Sequence, residues 1–184
     1  MFRIFILTVF VCLVAGDWDQ SRLEFLRDLL KEVRSLGEVE KRLPTFMDGA
    51  QDELRENYRK VNNGELEWFT AEYEGIQIRA GPTGPTGVGY EAVLDLFKDD
   101  MRMYVYGVLN CGGDHEREKL FLTWIGPEIS PLRKAKVSTD KAFVQAIITG
   151  GWRKEFLAEE VDEARKSLIC RRLVEAANAG YNKF

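Results

Sequence analysis

Apolar residues recur along the chain with two different periods, which together predict a mixed sheet flanked by helices. Spacings of three and four residues predict helices at 48–64, 90–97, 130–148 and 161–177. Short runs of β-branched and aromatic residues predict strands at 66–73, 76–80, 101–109, 119–125 and 155–158. The order αββαββαβα predicts an α/β fold, a three-layer sandwich with a central mixed β-sheet of about five strands. Between the second strand and second helix, the sequence GPTGPTG predicts a flexible loop stiffened by proline.

One stretch places a buried strand directly before a helix with a basic start. The apolar run 120–125 is typical of a buried strand, and Gly126-Pro127 ends it. Ser130 as N-cap and Pro131 at the first helical position favour a helix beginning there. This helix carries what we call the basic ridge, namely Arg133, Lys134, Lys136 and, further on, Lys141. On pattern alone, such a ridge is most often a solvated helix face.

The first 46 residues fall outside this pattern and predict two further segments. Residues 1–16 have the features of a secretory signal, with Arg3 before an apolar run that is too short for stable membrane insertion. Residues 17–46 predict an amphipathic helical extension or propeptide, and its Lys41-Arg42 pair is either a processing site or solvated surface. The alternative is that translation begins at Met47. The remaining domain is expected to span 47–184.

Composition limits the function classes that are open to this chain. With 184 residues and 45% hydrophobic content, the chain can bury one good core. A net charge of −4 argues against a generic nucleic-acid binder and makes the basic ridge stand out locally. The chain has one histidine, and no nucleophile, base and orienting group occur in a recognisable pattern. We therefore expect no catalytic residues, no metal site and no cofactor.

The chain has three cysteines. Cys12 would leave with a cleaved signal. Cys111 and Cys170 can pair only if their Cα atoms lie within about 7 Å, which the sequence leaves open. Two separate thiols are the simpler expectation.

Several short motifs between Met47 and Tyr181 carry a resemblance to a known family. In chain order they are Trp68-Phe69-Thr70, Tyr73-Glu74-Gly75, Asp99-Asp100-Met101-Arg102, Thr123-Trp124-Ile125-Gly126, Ala135-Lys136, Thr139-Asp140-Lys141 and Lys154-Glu155-Phe156. Their order and spacing resemble those of coactosin, a branch of the actin-depolymerising-factor homology fold, apart from a slightly shorter loop at 113–118. The resemblance implies a non-enzymatic monomer that binds the sides of actin filaments.

The resemblance also implies which residues would carry that binding. In coactosins two regions contribute, the long helix and the strand that leads to the Trp-Ile-Gly turn. Arg133, Lys134 and Lys136 fit the helix contribution, and Lys141 lies on the same helix. Coactosins place a lysine just before the apolar run of the strand, where this chain has Glu118-Lys119. Lys119 is the expected substitute, although a one-residue shift in a strand reverses the side-chain direction.

The family resemblance and the N-terminal sequence favour two different cellular locations. Actin is cytosolic, so the resemblance and a start at Met47 favour the cytoplasm and the actin cytoskeleton. The absence of any Asn-x-Ser/Thr sequence favours this weakly. The signal-like residues 1–16 favour the alternative, a secreted protein that keeps the fold but binds a different partner.

Overall fold

A computed structural model describes residues 27–28, 31, 45–149, 152 and 154–181. The chain forms two units, Met1–Leu43 and Pro44–Phe184. In the first unit, Arg27, Asp28 and Lys31 are helical, and the Lys31 ammonium lies 3.2 Å from the Asp28 carboxylate. The predicted signal and nearly all of the predicted extension lie outside the described residues, and the predicted domain boundaries stay predictions.

The second unit has the predicted order of helices and strands. Its α-helices are α1 (Ala50–Asn63), α2 (Pro131–Ile147) and α3 (Lys166–Tyr181). Its strands are β1 (Leu66–Glu74), β2 (Gln77–Pro85), β3 (Arg102–Leu109), β4 (Glu118–Ile125) and β5 (Glu155–Ala158). Two 3-10 helices, Tyr90–Leu96 and Val161–Ala164, complete the elements described for this unit.

The five strands form one mixed sheet in the order β2-β1-β3-β4-β5. All neighbouring pairs are antiparallel except β4 and β5, which run parallel. Helices α1 and α2 pack on one face, and α3 and the first 3-10 helix pack on the other. The three-layer α/β fold predicted from the sequence is therefore confirmed.

The burial of the two central strands explains their continuous apolar sequences. Strands β3 and β4 are buried along nearly their whole length, as expected for strands covered on both faces. Alternate side chains of β4 enter opposite cores: Phe121 faces α1 and α2, whereas Leu122 and Trp124 face α3. Burial on both faces thus produces the continuous apolar run.

The GPTGPTG sequence is not wholly a loop, contrary to the prediction. Strand β2 continues through it to Pro85, and its position at the sheet edge tolerates the missing N–H groups of proline. The indole of Trp68 lies directly against Gly84, where an added Cβ would come within 2.2 Å of the ring. Glycine at this position therefore lets the edge strand close over a buried tryptophan.

The helix predicted at 161–177 consists of two separate elements. Glu160 and Glu163 form a capping box around the short 3-10 helix. Arg165 then adopts an extended backbone conformation, so the chain restarts as α3 at Lys166. The predicted helix at 90–97 is likewise a 3-10 helix.

The expectation of two separate thiols is wrong. Cys111 and Cys170 form a disulfide, with Cα atoms 5.3 Å apart across a sequence separation of 59 residues. This Cα distance lies within the usual range for disulfides. Cys111 follows β3 and Cys170 lies in α3, so only the packing of the helix on the sheet brings the two together.

Among the residues that the structure describes, no helix is both long enough and apolar enough to cross a membrane.

Candidate functional site

The Trp124-Ile125-Gly126 turn fixes the point where α2 begins. The Trp124 ring stacks on Phe97 with centroids 4.4 Å apart, and its indole N–H donates to the Lys98 carbonyl at 3.0 Å. The Gly126 N–H donates to the Met101 carbonyl at 2.8 Å. A Cβ on Gly126 would lie 2.2 Å from the Asp99 carbonyl oxygen, so the close backbone approach requires glycine. The chain leaving β4 is thus held against the segment that enters β3.

Helix α2 begins where the sequence predicted. Ser130 is the N-cap with an extended backbone, and Pro131 occupies the first turn. The Lys134 N–H donates to the Ser130 carbonyl at 2.9 Å, whereas the Ser130 side chain makes no capping hydrogen bond. Proline and the backbone conformation therefore define this helix start, not a hydroxyl cap.

Two side chains of β3 hold the underside of α2. Arg102, of which 4% is exposed, donates to the Arg133 carbonyl at 2.9 Å and to the Gly75 carbonyl at 2.7 Å. The Tyr104 hydroxyl donates to the Val137 carbonyl at 2.6 Å. Residues two apart on a strand share a face, so both donors point at the same helix. These bonds fix the height and the rotation of α2 on the sheet.

A buried carboxylate completes this set of contacts. The Tyr73 hydroxyl donates to Asp140 Oδ2 at 2.9 Å, and the Lys136 ammonium lies 3.2 Å from the same oxygen. The side chains of Lys136 and Asp140 are 13% and 4% exposed. Burial, followed by the neighbouring Tyr104 and Asp140, raises the pKa of Tyr73, which keeps the hydroxyl protonated as a donor. We call Tyr73, Arg102, Tyr104, Lys136 and Asp140 the polar anchor.

The structure separates the five predicted binding residues into different settings. Lys136 belongs to the polar anchor and is largely buried, so it is not part of an open ridge. Lys134 and Lys141 lie at the surface but pair with carboxylates beyond the helix: Lys134 with Glu159 at 2.8 Å, and Lys141 with Glu155 at 2.6 Å. The hydrogen bond from Lys141 is the largest cause of the lowered pKa of Glu155.

Arg133 differs from the three lysines of the basic ridge. Its side chain is exposed, and within the described residues it makes no ion pair, while its backbone carbonyl accepts the bond from Arg102. Its guanidinium is therefore the cation of the ridge that is open to an external carboxylate.

Lys119 lies on the same side of the sheet as α2. It pairs in register with Val108, which packs against the core beneath α1 and α2. Its neighbour Glu118 points to the opposite face, where it is buried and lies 2.7 Å from Nδ1 of His115. The alternation of the strand thus places the half-buried Lys119, not Glu118, on the helix side.

Apart from Arg133, the exposed positions of α2 carry no charged side chain, a feature that the sequence pattern did not reveal. Beyond Pro131 and Arg133, these positions are Leu132, Ala135, Ser138, Thr139, Ala142, Phe143 and Ala146. Leu132 and Phe143 are large apolar residues that are 40% and 51% exposed. We call these seven residues the outer face. The exposed positions follow helical spacing, so the sequence contained this pattern. The buried side of α2, however, includes the charged residue Asp140, and the sequence therefore did not distinguish the exposed apolar stripe from the one that faces the core.

Within the described residues, no group of three or more histidine, cysteine or acidic side chains could hold a metal ion. The chemistry that this surface presents is one free guanidinium, paired lysines at its border and an apolar helix face.

Comparison with known proteins identifies the family. The sequence profile of the cofilin/tropomyosin-type actin-binding proteins matches residues 47–173. The chain is 29% identical to the coactosin-like protein of Rattus norvegicus over 117 residues, which are 62% of this chain and 80% of the rat protein. It is 30% identical to coactosin of Dictyostelium discoideum over 106 residues, which are 55% of this chain and 72% of that protein.

Solved structures agree with the sequence comparison. Human coactosin-like protein superposes with a TM-score of 0.61 at 25% identity, over 72% of this chain and 99% of the human chain. Mouse coactosin, described as an actin filament binding protein, superposes with a TM-score of 0.57 at 26% identity, over 73% of this chain and 96% of the mouse chain. The resemblance found in the sequence is thereby confirmed, and the chain belongs to the cofilin/tropomyosin-type actin-binding protein family.

Proposed function

We propose that this protein is a non-enzymatic actin-binding protein that attaches to the sides of filaments through the start and outer face of α2. Family membership over residues 47–173 supports actin as the partner. The mouse structure, described as that of a filament-binding protein, supports the filamentous form. The observation that carries the proposal is the presentation of α2, whose outer face displays Leu132 and Phe143 beside the exposed Arg133.

Because the basic residues differ in burial and in ion pairing, we expect them to contribute unequally to filament binding. Arg133 is the primary electrostatic contact because its guanidinium is free to meet an acidic partner. Lys134 and Lys141 contribute less, since each must leave or share a carboxylate of its own chain. Lys136 supports the helix from below. Lys119 lies on the same side of the sheet and is a second, weaker contact.

Co-sedimentation with actin filaments tests the proposal. Binding should weaken from low to high salt, because exposed charges on both partners are screened within a Debye length of about 8 Å at physiological ionic strength. It should not vanish, because the apolar outer face does not depend on salt. A chain that stays in the supernatant at both salt concentrations would refute the proposal.

Reversing one charge tests the role of Arg133. Arg133→Glu should weaken filament binding by about 10- to 100-fold, because like-charge juxtaposition across an interface costs several kcal/mol. Thermal unfolding should barely change, since exposed substitutions shift stability by about 0.5 kcal/mol. Arg55→Glu on α1 is the matched control, an exposed arginine in an exposed ion pair, and should bind normally. Lys136 is left unchanged, because a glutamate there would meet the buried Asp140.

The strand contribution is tested separately by Lys119→Glu. If the side of the sheet beneath α2 contributes to binding, we expect a loss of about threefold to tenfold, smaller than for Arg133→Glu because Lys119 is half-buried. Pelleting of this variant at several actin concentrations measures the effect. Unchanged affinity would confine the contact surface to the helix.

With actin filaments as the partner, we expect the protein to act in the cytoplasm, on the actin cytoskeleton, and we expect it to be a monomer. The alternative, a secreted protein that keeps the fold for another partner, is favoured by one observation, the disulfide between Cys111 and Cys170. Mass spectrometry of the native N-terminus separates the two. A chain in the medium that begins at Asp17 or Leu43 would support secretion, whereas a chain found only in the lysate and beginning at Met47 would exclude it.

A further inference from the structure

The β3–β4 hairpin is joined covalently to the last helix. Cys111 lies two residues after the end of β3, and Cys170 lies in the second turn of α3. The third cysteine of the chain, Cys12, lies far away in sequence, in the unit Met1–Leu43. Both bonded cysteines are partly buried and pack against the core on the α3 side of the sheet. The pair is therefore a defined link between two elements that are distant in sequence.

The hairpin end is shaped independently of the disulfide. The Cys111 N–H donates to the His115 carbonyl at 2.9 Å, and the Gly112 N–H donates to the Asn110 side chain at 2.9 Å. His115 in turn contacts Glu118 at 2.7 Å. These bonds do not involve the Cys111 sulfur, so we expect them to remain when the disulfide is opened. The reduced domain is thus expected to keep its fold.

The helix at the other end packs on the core through a narrow face. Among the described side chains of α3, the apolar residues Ile169, Leu173 and Ala177 make the fully buried contacts with the core. A cross-link over 59 residues also removes much of the conformational freedom of the unfolded chain. Closing the bond therefore stabilises the whole domain, and the attachment of α3 in particular.

We propose that Cys111 and Cys170 form a redox-sensitive staple that sets the stability of the domain and the attachment of α3. To close it, the two thiols lose two electrons and two protons to a disulfide-bearing oxidant. The Sγ–Sγ bond forms while the S–S bond of the oxidant breaks into two thiols. A dithiol reductant reverses the exchange and becomes a disulfide itself. This proposal is independent of filament binding.

Thermal unfolding of the full chain tests the staple. The oxidised protein should unfold roughly 10 °C above the protein reduced with dithiothreitol, as expected for a loop of this length in a domain of this size. The double variant Cys111→Ser/Cys170→Ser should unfold at the lower temperature with or without the reductant. Cys12→Ser is the matched control and should retain the full shift.

Peptide mapping after alkylation identifies the bond itself. In glutathione disulfide buffer, we expect a linked peptide pair containing Cys111 and Cys170, with Cys12 outside this link as an alkylated thiol or a mixed disulfide with glutathione. Alkylation of both Cys111 and Cys170 in that buffer would overturn the proposal. So would an equal effect of dithiothreitol on the double serine variant. Neither result bears on filament pelleting, so failure of the staple and failure of the proposed function are distinguishable.

Discussion

Replacing Asp140 by alanine should lower the free energy of unfolding by about 3–5 kcal/mol, the usual cost of breaking a buried ion pair from one side. The substitution leaves the Lys136 ammonium, 13% exposed, without the carboxylate that lies 3.2 Å from it. It also removes the acceptor of the Tyr73 hydroxyl. The Lys136 ammonium and the Tyr73 hydroxyl would then stay buried with one fewer partner each. As a result, α2 would lose part of its attachment to the sheet.

Urea unfolding measures this loss, and two comparisons define its cause. Asp162→Ala breaks a surface pair with Arg165 at 2.7 Å, whose side chains are 79% and 58% exposed, and should cost far less than Asp140→Ala. Lys136→Met should cost less in the Asp140→Ala background than in the native chain, because the Asp140 carboxylate that Lys136 contacts is already absent. Equal costs for Asp140→Ala and Asp162→Ala would show that the polar anchor does not hold the helix.

Replacing Trp124 by alanine should destabilise the domain by about 3–5 kcal/mol. The side chain is 1% exposed, stacks on Phe97 and donates to the Lys98 carbonyl. Its removal opens a cavity in the core and frees the turn that carries Gly126. Because this turn sets the start of α2, filament binding should fall in the fraction that remains folded.

Trp124→Phe separates packing from hydrogen bonding. The phenyl ring retains most of the stacking on Phe97 but cannot donate to the Lys98 carbonyl, so we expect a loss of about 1–3 kcal/mol. Urea unfolding of both variants gives the difference. A loss for Trp124→Phe as large as that for Trp124→Ala would show that stacking of a six-membered ring on Phe97 contributes little to stability.

The sequence predicted the layers of the fold because each depends on local periodicity. Strand β5 was predicted at its observed bounds, and Ser130-Pro131 marked the start of α2. The errors occurred where a neighbour overrides local preference. In GPTGPTG, the prolines indicated a loop, but a sheet edge tolerates them and Trp68 requires the glycine beside it.

The candidate site could be predicted only in part. The sequence placed four cations on one helix, but the partners of the lysines come from elsewhere or from within the core. Glu155 and Glu159 follow the helix in sequence and reach it only because β5 lies parallel to β4. The outer face was also missed, since a buried aspartate interrupts the apolar stripe that faces the sheet.

By itself, the sequence determined the order of helices and strands, the three-layer architecture and the family, because these follow from patterns within a few residues of each other. The tertiary structure alone decided which cations are free. Arg133 is open and Lys136 is buried although both lie on one helix, because Asp140 and the hydroxyl of Tyr73 meet beneath it. It likewise decided that Cys111 and Cys170 pair. The Lys136–Asp140 pair lies within one helix, but the Tyr73–Asp140 bond and the disulfide join residues 67 and 59 positions apart, and no local pattern encodes them.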